Sequence, residues 1–348
     1  MHRRTFLATA TAALASGARP APAPRLKLGV DLFSIRSQGW TPFQYLDYCA
    51  KHGVEVVHFS EIRFIGSLEE ENLKRVRAHA EKVGIEVEIG MMSICPTSKM
   101  FKAAEGTAEE QLIRMISSAK LAGSRIVRCV LGNSADRQPP LGIEGNIENT
   151  VKVLRAVRSR VQDAGLKIAI ENHAGDMQAR ELKMLIEEAG KDFVGACLDS
   201  GNPMWTIEDP HLTLETLAPY VVTSHVRDSA AWPAPGGASV AWTRMGDGNI
   251  GIDDYVRKYA ELCPGKALSL EIIVTGARAF NYHDPKFWEI YRKTPAWEFA
   301  RFVALVEKGT PRPPVPRVPR EAAAGRERED LEASLAYTKE LLKKIAAE

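Results

Sequence analysis

The amino-acid sequence predicts an α/β chain folded as one (β/α)8 barrel, and three observations predict it. Eight short apolar runs alternate with longer amphipathic stretches, the pattern of parallel strands joined by helical crossovers. The alternation occupies about 250 residues, a length at which such units close on themselves as a single domain. The segment after the first run, SIRSQGW from Ser34 to Trp40, lacks the Gly-rich phosphate turn with which an open doubly wound sheet usually begins.

The first 24 residues stand apart from this pattern. Arg3 and Arg4 precede a short apolar stretch from Phe6 to Ala15, and small residues follow up to Ala18. The stretch is shorter than the roughly 20 residues a membrane helix needs. A charged start, an apolar middle and small residues before a boundary mark a secretory signal, and the paired arginines resemble the twin-arginine export signal. Residues 1–24 are therefore expected to be a signal peptide and linker, with cleavage near Ala18, and the mature protein is expected outside the cytoplasm.

From Arg25 the elements follow in order. Strands are expected at Leu28–Phe33, Val54–Phe59, Ile85–Met91, Arg125–Leu131, Leu166–Glu171, Val194–Asp199, Val221–Val226 and Ala267–Ile272. Each is short, apolar and rich in β-branched residues, as buried strands are. Helices are expected between them. Pro42–His52 ends at Gly53, Leu68–Val83 at Gly84, Ala108–Leu121 near Gly123, Ile147–Ala164 at Gly165 and Gln178–Ala189 at Gly190. Glycine after the last periodic residue is a helix stop. Asp253–Leu262 stops before Pro264, and Ala296–Lys308 closes the barrel domain, 25–308. Residues 309–348 begin with a Pro- and charge-rich strap and end in an amphipathic helix, Leu331–Ala347, expected to dock on the barrel or on a partner. Whether it makes the protein a homo-oligomer is left open.

Composition narrows the function. With 46 basic and 44 acidic residues the net charge is +2, which supplies no electrostatic footprint for nucleic acid. The five cysteines, Cys49, Cys95, Cys129, Cys197 and Cys263, form no C-x-x-C pair, so neither a zinc knuckle nor a thioredoxin-type site is expected. Cys129 and Cys197 lie in apolar runs and read as core residues. Beyond the signal no segment is long and apolar enough to span a membrane.

The strand ends carry the chemistry, because functional groups of such barrels gather at the C-terminal ends of the strands. Glu171 ends the fifth run, Asp199 ends the sixth, His225 lies in the seventh and Glu271 in the eighth. A carboxylate beside an apolar run must be paired or metal-bound, since burying it alone costs several kcal/mol. Three carboxylates and one imidazole on four successive strands would repel one another without a cation between them. That donor set suits one Mn²⁺, Mg²⁺, Co²⁺ or Zn²⁺ ion.

These segments, Glu171-Asn172-His173, Leu198 to Pro203 (LDSGNP), His225 to Asp228 (HVRD) and Leu270-Glu271, resemble the xylose isomerase-like TIM barrel superfamily of sugar isomerases and epimerases. So does Gly246–Asp253 (GDGNIGID). The resemblance runs from about Leu28 to Leu305. It implies that Glu171, Asp199, His225 and Glu271 hold the metal. It also implies that Glu171 and Glu271 move a proton off and onto the carbon beside a substrate carbonyl. His58, Glu61, Arg128, His173, Asn202 and Arg227 are the expected substrate contacts, with Arg128 either inward or covering a helix. Trp205, Trp232 and Trp242 are assigned to rim loops, either stacking on a sugar ring or packing. The chain departs from the ketose epimerases at Met177, Ala231 and Asn202, which stand where those enzymes carry a glutamate, an arginine and a histidine.

The expected function is thus metal-dependent isomerisation or epimerisation of a small carbohydrate by proton abstraction beside a carbonyl. A lyase or dehydratase acting by β-elimination is the alternative, and a non-catalytic sugar-binding barrel a third. An endonuclease IV-like enzyme is disfavoured by eight histidines and the small net charge. Export favours an unphosphorylated sugar, keto-sugar, glycoside or cyclitol.

Overall fold

The structure is a computed structural model that describes residues 25–316 and 318–347. The twin-arginine segment lies outside the described residues. In chain order the elements are β1 (Lys27–Asp31), α1 (Pro42–Lys51), β2 (Val56–Phe59), α2 (Ile62–Ile65), α3 (Glu70–Val83), β3 (Glu86–Ser93), α4 (Ala108–Ala122) and β4 (Ile126–Val130). Next come α5 (Gly142–Asp163), β5 (Lys167–Glu171), α6 (Ala179–Ala189), β6 (Val194–Asp199), α7 (Pro210–Leu217) and β7 (Val221–His225). The chain continues with β8 (Asp228–Ala234), β9 (Gly237–Thr243), α8 (Ile252–Leu262), β10 (Ala267–Leu270), β11 (Arg278–Phe280), α9 (Ala296–Glu307) and α10 (Arg320–Ala347).

Eight strands pair in parallel in the order β10-β1-β2-β3-β4-β5-β6-β7. A parallel bridge between Val226 and Leu270 joins the two ends. It is held by Val226 N–H donating to Ser269 O at 2.7 Å and Glu271 N–H donating to Val226 O at 3.1 Å. All eight expected runs form strands, with ends shifted by a residue or two. Close approach of β1 to β10 depends on Gly29, where a Cβ would come within 2.2 Å of Ser269 Oγ.

The helices form for local reasons. Thr107 accepts from Glu110 N–H while the Glu110 side chain returns to the Thr107 backbone, a capping box that starts α4. Gly123 at φ 76° stops it. On α3 the buried residues are Leu73, Val76 and Ala80, one stripe at helical spacing. Each fully buried Leu or Val of this kind contributes about 1.5–3 kcal/mol relative to its exposed state.

Several elements differ from expectation. Helix α5 begins at Gly142 rather than Ile147, and α10 begins at Arg320 rather than Leu331. The early turns of α10 carry no apolar stripe, because they are fixed by polar contacts: Glu327 accepts from Ser37 N–H and Oγ–H, each at 2.8 Å. Further along, Leu331, Leu335 and Leu341 are buried, so this helix docks on its own barrel. A three-stranded antiparallel sheet, β11-β9-β8, was not anticipated. It corrects the assignment of Trp232 and Trp242 to loops: they lie on β8 and β9. The turn joining these strands is Pro235-Gly236, with Gly236 at φ 81°, as a type II turn requires. Pro-Gly was a legible turn signal there, but β8 (DSAAWPA) lacks the alternation of a strand, since Asp228 to Trp232 are all buried. Each of the five cysteines is a buried free thiol. Among the described residues no helix is long and apolar enough to cross a membrane.

Candidate metal centre

Parallel register brings the strand ends to one depth. Asp199 lies beside His225 across β6 and β7, and Asp31 lies beside His58 across β1 and β2. Glu171 ends β5, and Glu271 directly follows β10. Glu171, Asp199 and His225 are fully buried, and Glu271 is nearly so. Each of the four offers one donor atom, and these atoms all lie within 4.8 Å of one another. The expected quartet therefore converges.

Positive groups surround it. Arg128 points into the barrel, which settles its orientation, and its Nε donates to Glu171 Oε2 at 2.6 Å. Arg227 Nη2 donates to both Asp199 Oδ2 and Glu271 Oε2. The Arg227 stem runs over Gly201, where a Cβ would approach its Cγ and Cδ to 2.5 Å, so only glycine fits there. Its guanidinium lies over the Trp242 ring at 4.4 Å. Asn202 Nδ2 donates to Glu171 Oε1 at 3.1 Å, and the backbone N–H groups of Gly201 and Asn202 donate to Asp199 Oδ1 at 2.7 Å each.

Two residues lie against His225 behind the quartet, His58 as its hydrogen-bond partner and Asp31 as a facing charge. His225 Nε2 is 2.9 Å from Asp31 Oδ2 and 2.8 Å from His58 Nδ1. Asp31 Oδ1 is engaged elsewhere, accepting from Phe33 N–H at 2.7 Å and Ser60 Oγ–H at 2.6 Å. The sequence reading passed over Asp31, which lies inside the expected run Leu28–Phe33; in the structure it ends β1 as Glu171 ends β5 and Asp199 ends β6. His58, expected at the substrate, lies instead inside the barrel and is completely buried. Glu88, also in the interior, accepts from Thr223 Oγ1–H at 2.6 Å.

The electrostatics follow from burial and these neighbours. Burial pushes Asp199 up to about 7 against the pull of Arg227, with Glu171 and Glu271 adding to the push. For Glu171 burial is outweighed by Arg128 and then His225, which hold it well below the usual carboxylate range. Burial opposes a charged His225, yet Cys197, Asp31, Glu171 and Glu271 together raise it well above the usual imidazole range. Burial lowers His58 to about 3, and it is neutral.

The residues fit a divalent cation. His225 Nδ1 is buried and makes no hydrogen bond. Yet Glu171 Oε2 stands 2.9 Å from it and Glu271 Oε2 stands 3.4 Å away. A nitrogen this close to two carboxylate oxygens, and bonded to neither, matches donors arranged around a shared ion. The negative charge of three converging carboxylates calls for a cation, and the ion pairs from Arg128 and Arg227 offset it only in part.

Above the quartet lies a cavity of about 310 Å³. Its polar lining includes Glu61, Arg128, His173, Asn202, Arg227 and Glu271. Its apolar walls include Phe33, Met92, Trp205 and Trp242. Trp205 and Trp242 stack at 4.0 Å between ring centroids and 9° between planes. His173 is steered by Nδ1 against Gly132 O at 2.7 Å and by its backbone N–H donating to Asp176 Oδ1 at 2.8 Å. Trp232 is absent from this lining and faces a different cavity. Met177 is buried in the core.

Comparison with known proteins agrees with this architecture. A curated relative, 3-oxo-isoapionate decarboxylase of Pectobacterium atrosepticum, is 24% identical over 185 residues, covering 53% of this chain and 60% of the relative. The chain thus spans less than two thirds of that relative's length. The xylose isomerase domain protein of Planctomyces limnophilus superposes with a TM-score of 0.60 at 16% identity, covering 93% of this chain and 99% of that one. An L-ribulose 3-epimerase superposes with a TM-score of 0.61 at 15% identity, covering 92% and 96%. Other solved neighbours hold zinc at 14% identity and magnesium at 12%. At these identities the structures speak for the fold alone. The family described as xylose isomerase-like TIM barrel matches residues 46–286, a span that takes in the barrel from α1 through β11 and all four converging donors, and the chain belongs to that family.

Proposed function

We propose that the chain is a divalent-metal-dependent isomerase or epimerase of a small carbohydrate, working by proton transfer at a carbon beside a carbonyl. The observation that carries this reading is the convergence of Glu171, Asp199, His225 and Glu271 within 4.8 Å, under a cavity with a few polar groups. A bound divalent ion would polarise the substrate carbonyl and stabilise the negative charge that develops as the proton leaves. Asp199 and His225 would serve as holders. Glu171 and Glu271 would also touch the substrate, one taking the proton and the other returning it. Arg128 keeps Glu171 ionised, at the cost of making it a weak base, so its rate contribution depends on placement. His173 and Asn202 face the cavity and are suited to hold substrate hydroxyls.

A second reading uses the same atoms. The decarboxylase relative supports chemistry in which negative charge forms beside a carbonyl and a bond other than C–H also breaks. β-Elimination from a keto-sugar or keto-glycoside fits that description. Export by the twin-arginine route belongs to the proposal as well, and it favours an unphosphorylated substrate.

The test is metal analysis followed by isotope exchange. Purified protein should hold about one divalent ion per chain, and His225→Ala should lose it. With the ion present, deuterium from solvent should enter a carbon of some member of a ketose and keto-glycoside panel. Full metal retention in His225→Ala would remove the proposed centre. Turnover without solvent exchange would remove the proton-transfer mechanism.

A further inference from the structure

The cavity over the metal centre has a neighbour. A second cavity, of about 360 Å³, opens between β3, α4 and the α2 region. The two share Glu61, Met92 and Met100 in their linings. Beyond that shared wall the second cavity is floored by Met91 and Met115, which are buried, and sided by Ile62 and Leu68. Four methionines therefore line it. Thioether side chains are unbranched, adaptable and favourable against aromatic rings. Its mouth carries Arg63, Lys102, Glu105 and Arg114, which are exposed and of mixed sign. Ser93 and Gln111 also line the cavity, but the Ser93 hydroxyl donates to Leu131 O and the Gln111 amide to Lys102 O and Gly106 O, so a second polyol would lose more water than it gains partners. Glu61 stands between the two spaces, held by Arg63 Nε at 2.5 Å.

We infer that the substrate is a sugar conjugate, with the sugar over Glu171 and Glu271 and a flat apolar or aromatic aglycone in the methionine-lined cavity. This rests on the proposed function for the sugar end and adds the chemical class of the other end. A free monosaccharide would fill the inner cavity and leave the outer one to water. An aglycone displaces that water from Met91 and Met115, and the gain is hydrophobic. The two methionines in the shared wall can change rotamer to admit the link between sugar and aglycone without backbone movement.

The experiment compares matched methyl and phenyl β-glycosides of glucose, galactose and xylose by titration calorimetry, using the full mature chain with Mn²⁺ present. In at least one pair the phenyl glycoside should bind roughly tenfold or more tightly than its methyl counterpart. Leu68→Trp fills the outer cavity without entering the inner lining, and it should erase the phenyl advantage while leaving methyl glycoside binding intact. Arg114→Trp, at the exposed mouth, is a second variant that does not depend on repacking the interior. Equal binding within every pair would overturn the inference. So would a phenyl advantage that survives both variants. Metal-dependent deuterium exchange into free ketoses, measured separately, reports on the proposed function. Exchange with no phenyl preference removes only the outer site, and a phenyl preference with no exchange removes only the proposed chemistry.

Discussion

Replacing Asp31 with Asn alters one side-chain group and should weaken divalent-metal binding by about tenfold. The magnitude follows from which atoms are already committed. Asp31 Oδ1 accepts from Phe33 N–H and Ser60 Oγ–H, so the amide oxygen of the Asp31→Asn variant is held on that side. The amide NH₂ group then occupies the place of Oδ2, 2.9 Å from His225 Nε2, and confronts that nitrogen with a donor. Nε2 can accept from it only by giving up its proton, and the ring then carries the proton on Nδ1, the atom that faces the quartet. Loss of an outer partner of a metal-bound histidine typically costs 10–100-fold in affinity. Here His58 Nδ1, 2.8 Å from the same nitrogen, remains as an alternative acceptor. That places the loss at the low end, about 1.4 kcal/mol. Titration calorimetry with Mn²⁺ on wild type and Asp31→Asn measures it, with thermal melts to confirm folding. An unchanged affinity would falsify the claim that Asp31 sets the His225 tautomer. A loss of a thousandfold or more would mean that the quartet itself had been displaced.

Other expectations can be tested alongside. Glu271→Gln keeps an oxygen donor but removes a base, so it should retain a measurable share of metal and lose nearly all turnover, with solvent deuterium no longer entering the substrate; exchange at the wild-type rate would leave Glu271 as a ligand only. Glu208 sits away from the quartet, and burial pushes it up to about 7 from 4.5, against bonds from Thr213 Oγ1–H and Ala179 N–H. The folded state therefore holds the Glu208 proton more tightly than the unfolded chain. Its contribution is complete below 4.5 and is lost as pH rises through about 7. Glu208→Gln should therefore gain thermal stability relative to wild type between pH 5 and pH 8, and a constant difference in Tm across that range would contradict the assignment. Changing Arg3 and Arg4 to Lys should hold the precursor in the cytoplasm, as fractionation would show; export at the wild-type level would point to a different signal.

Local pattern was enough for the barrel and for its four convergent donors. The strand runs, the glycines that end α3 and α4, and acids at the ends of apolar runs are properties of neighbouring residues, and burial imposes them wherever the chain passes through a parallel sheet. Glu171, Asp199, His225 and Glu271 were legible because a buried strand that ends in an ionisable group is costly without a partner. Elements held by distant contacts were not legible. The first turns of α10 depend on Ser37, 290 residues from Glu327 in sequence. β8 is buried by β9 and by α9 rather than by its own alternation. The placement of Arg128, Arg227 and His58 was likewise decided only in three dimensions. Arg128 and His58 are inward residues of β4 and β2, and Arg227 lies in the short link between β7 and β8, and the sequence pattern says no more than that. Barrel register sets the rest, by putting Asp31 next to His58 and Asp199 next to His225. Register is a relation between strands, fixed by the packing of the closed barrel, so which charge meets which is determined by the tertiary structure.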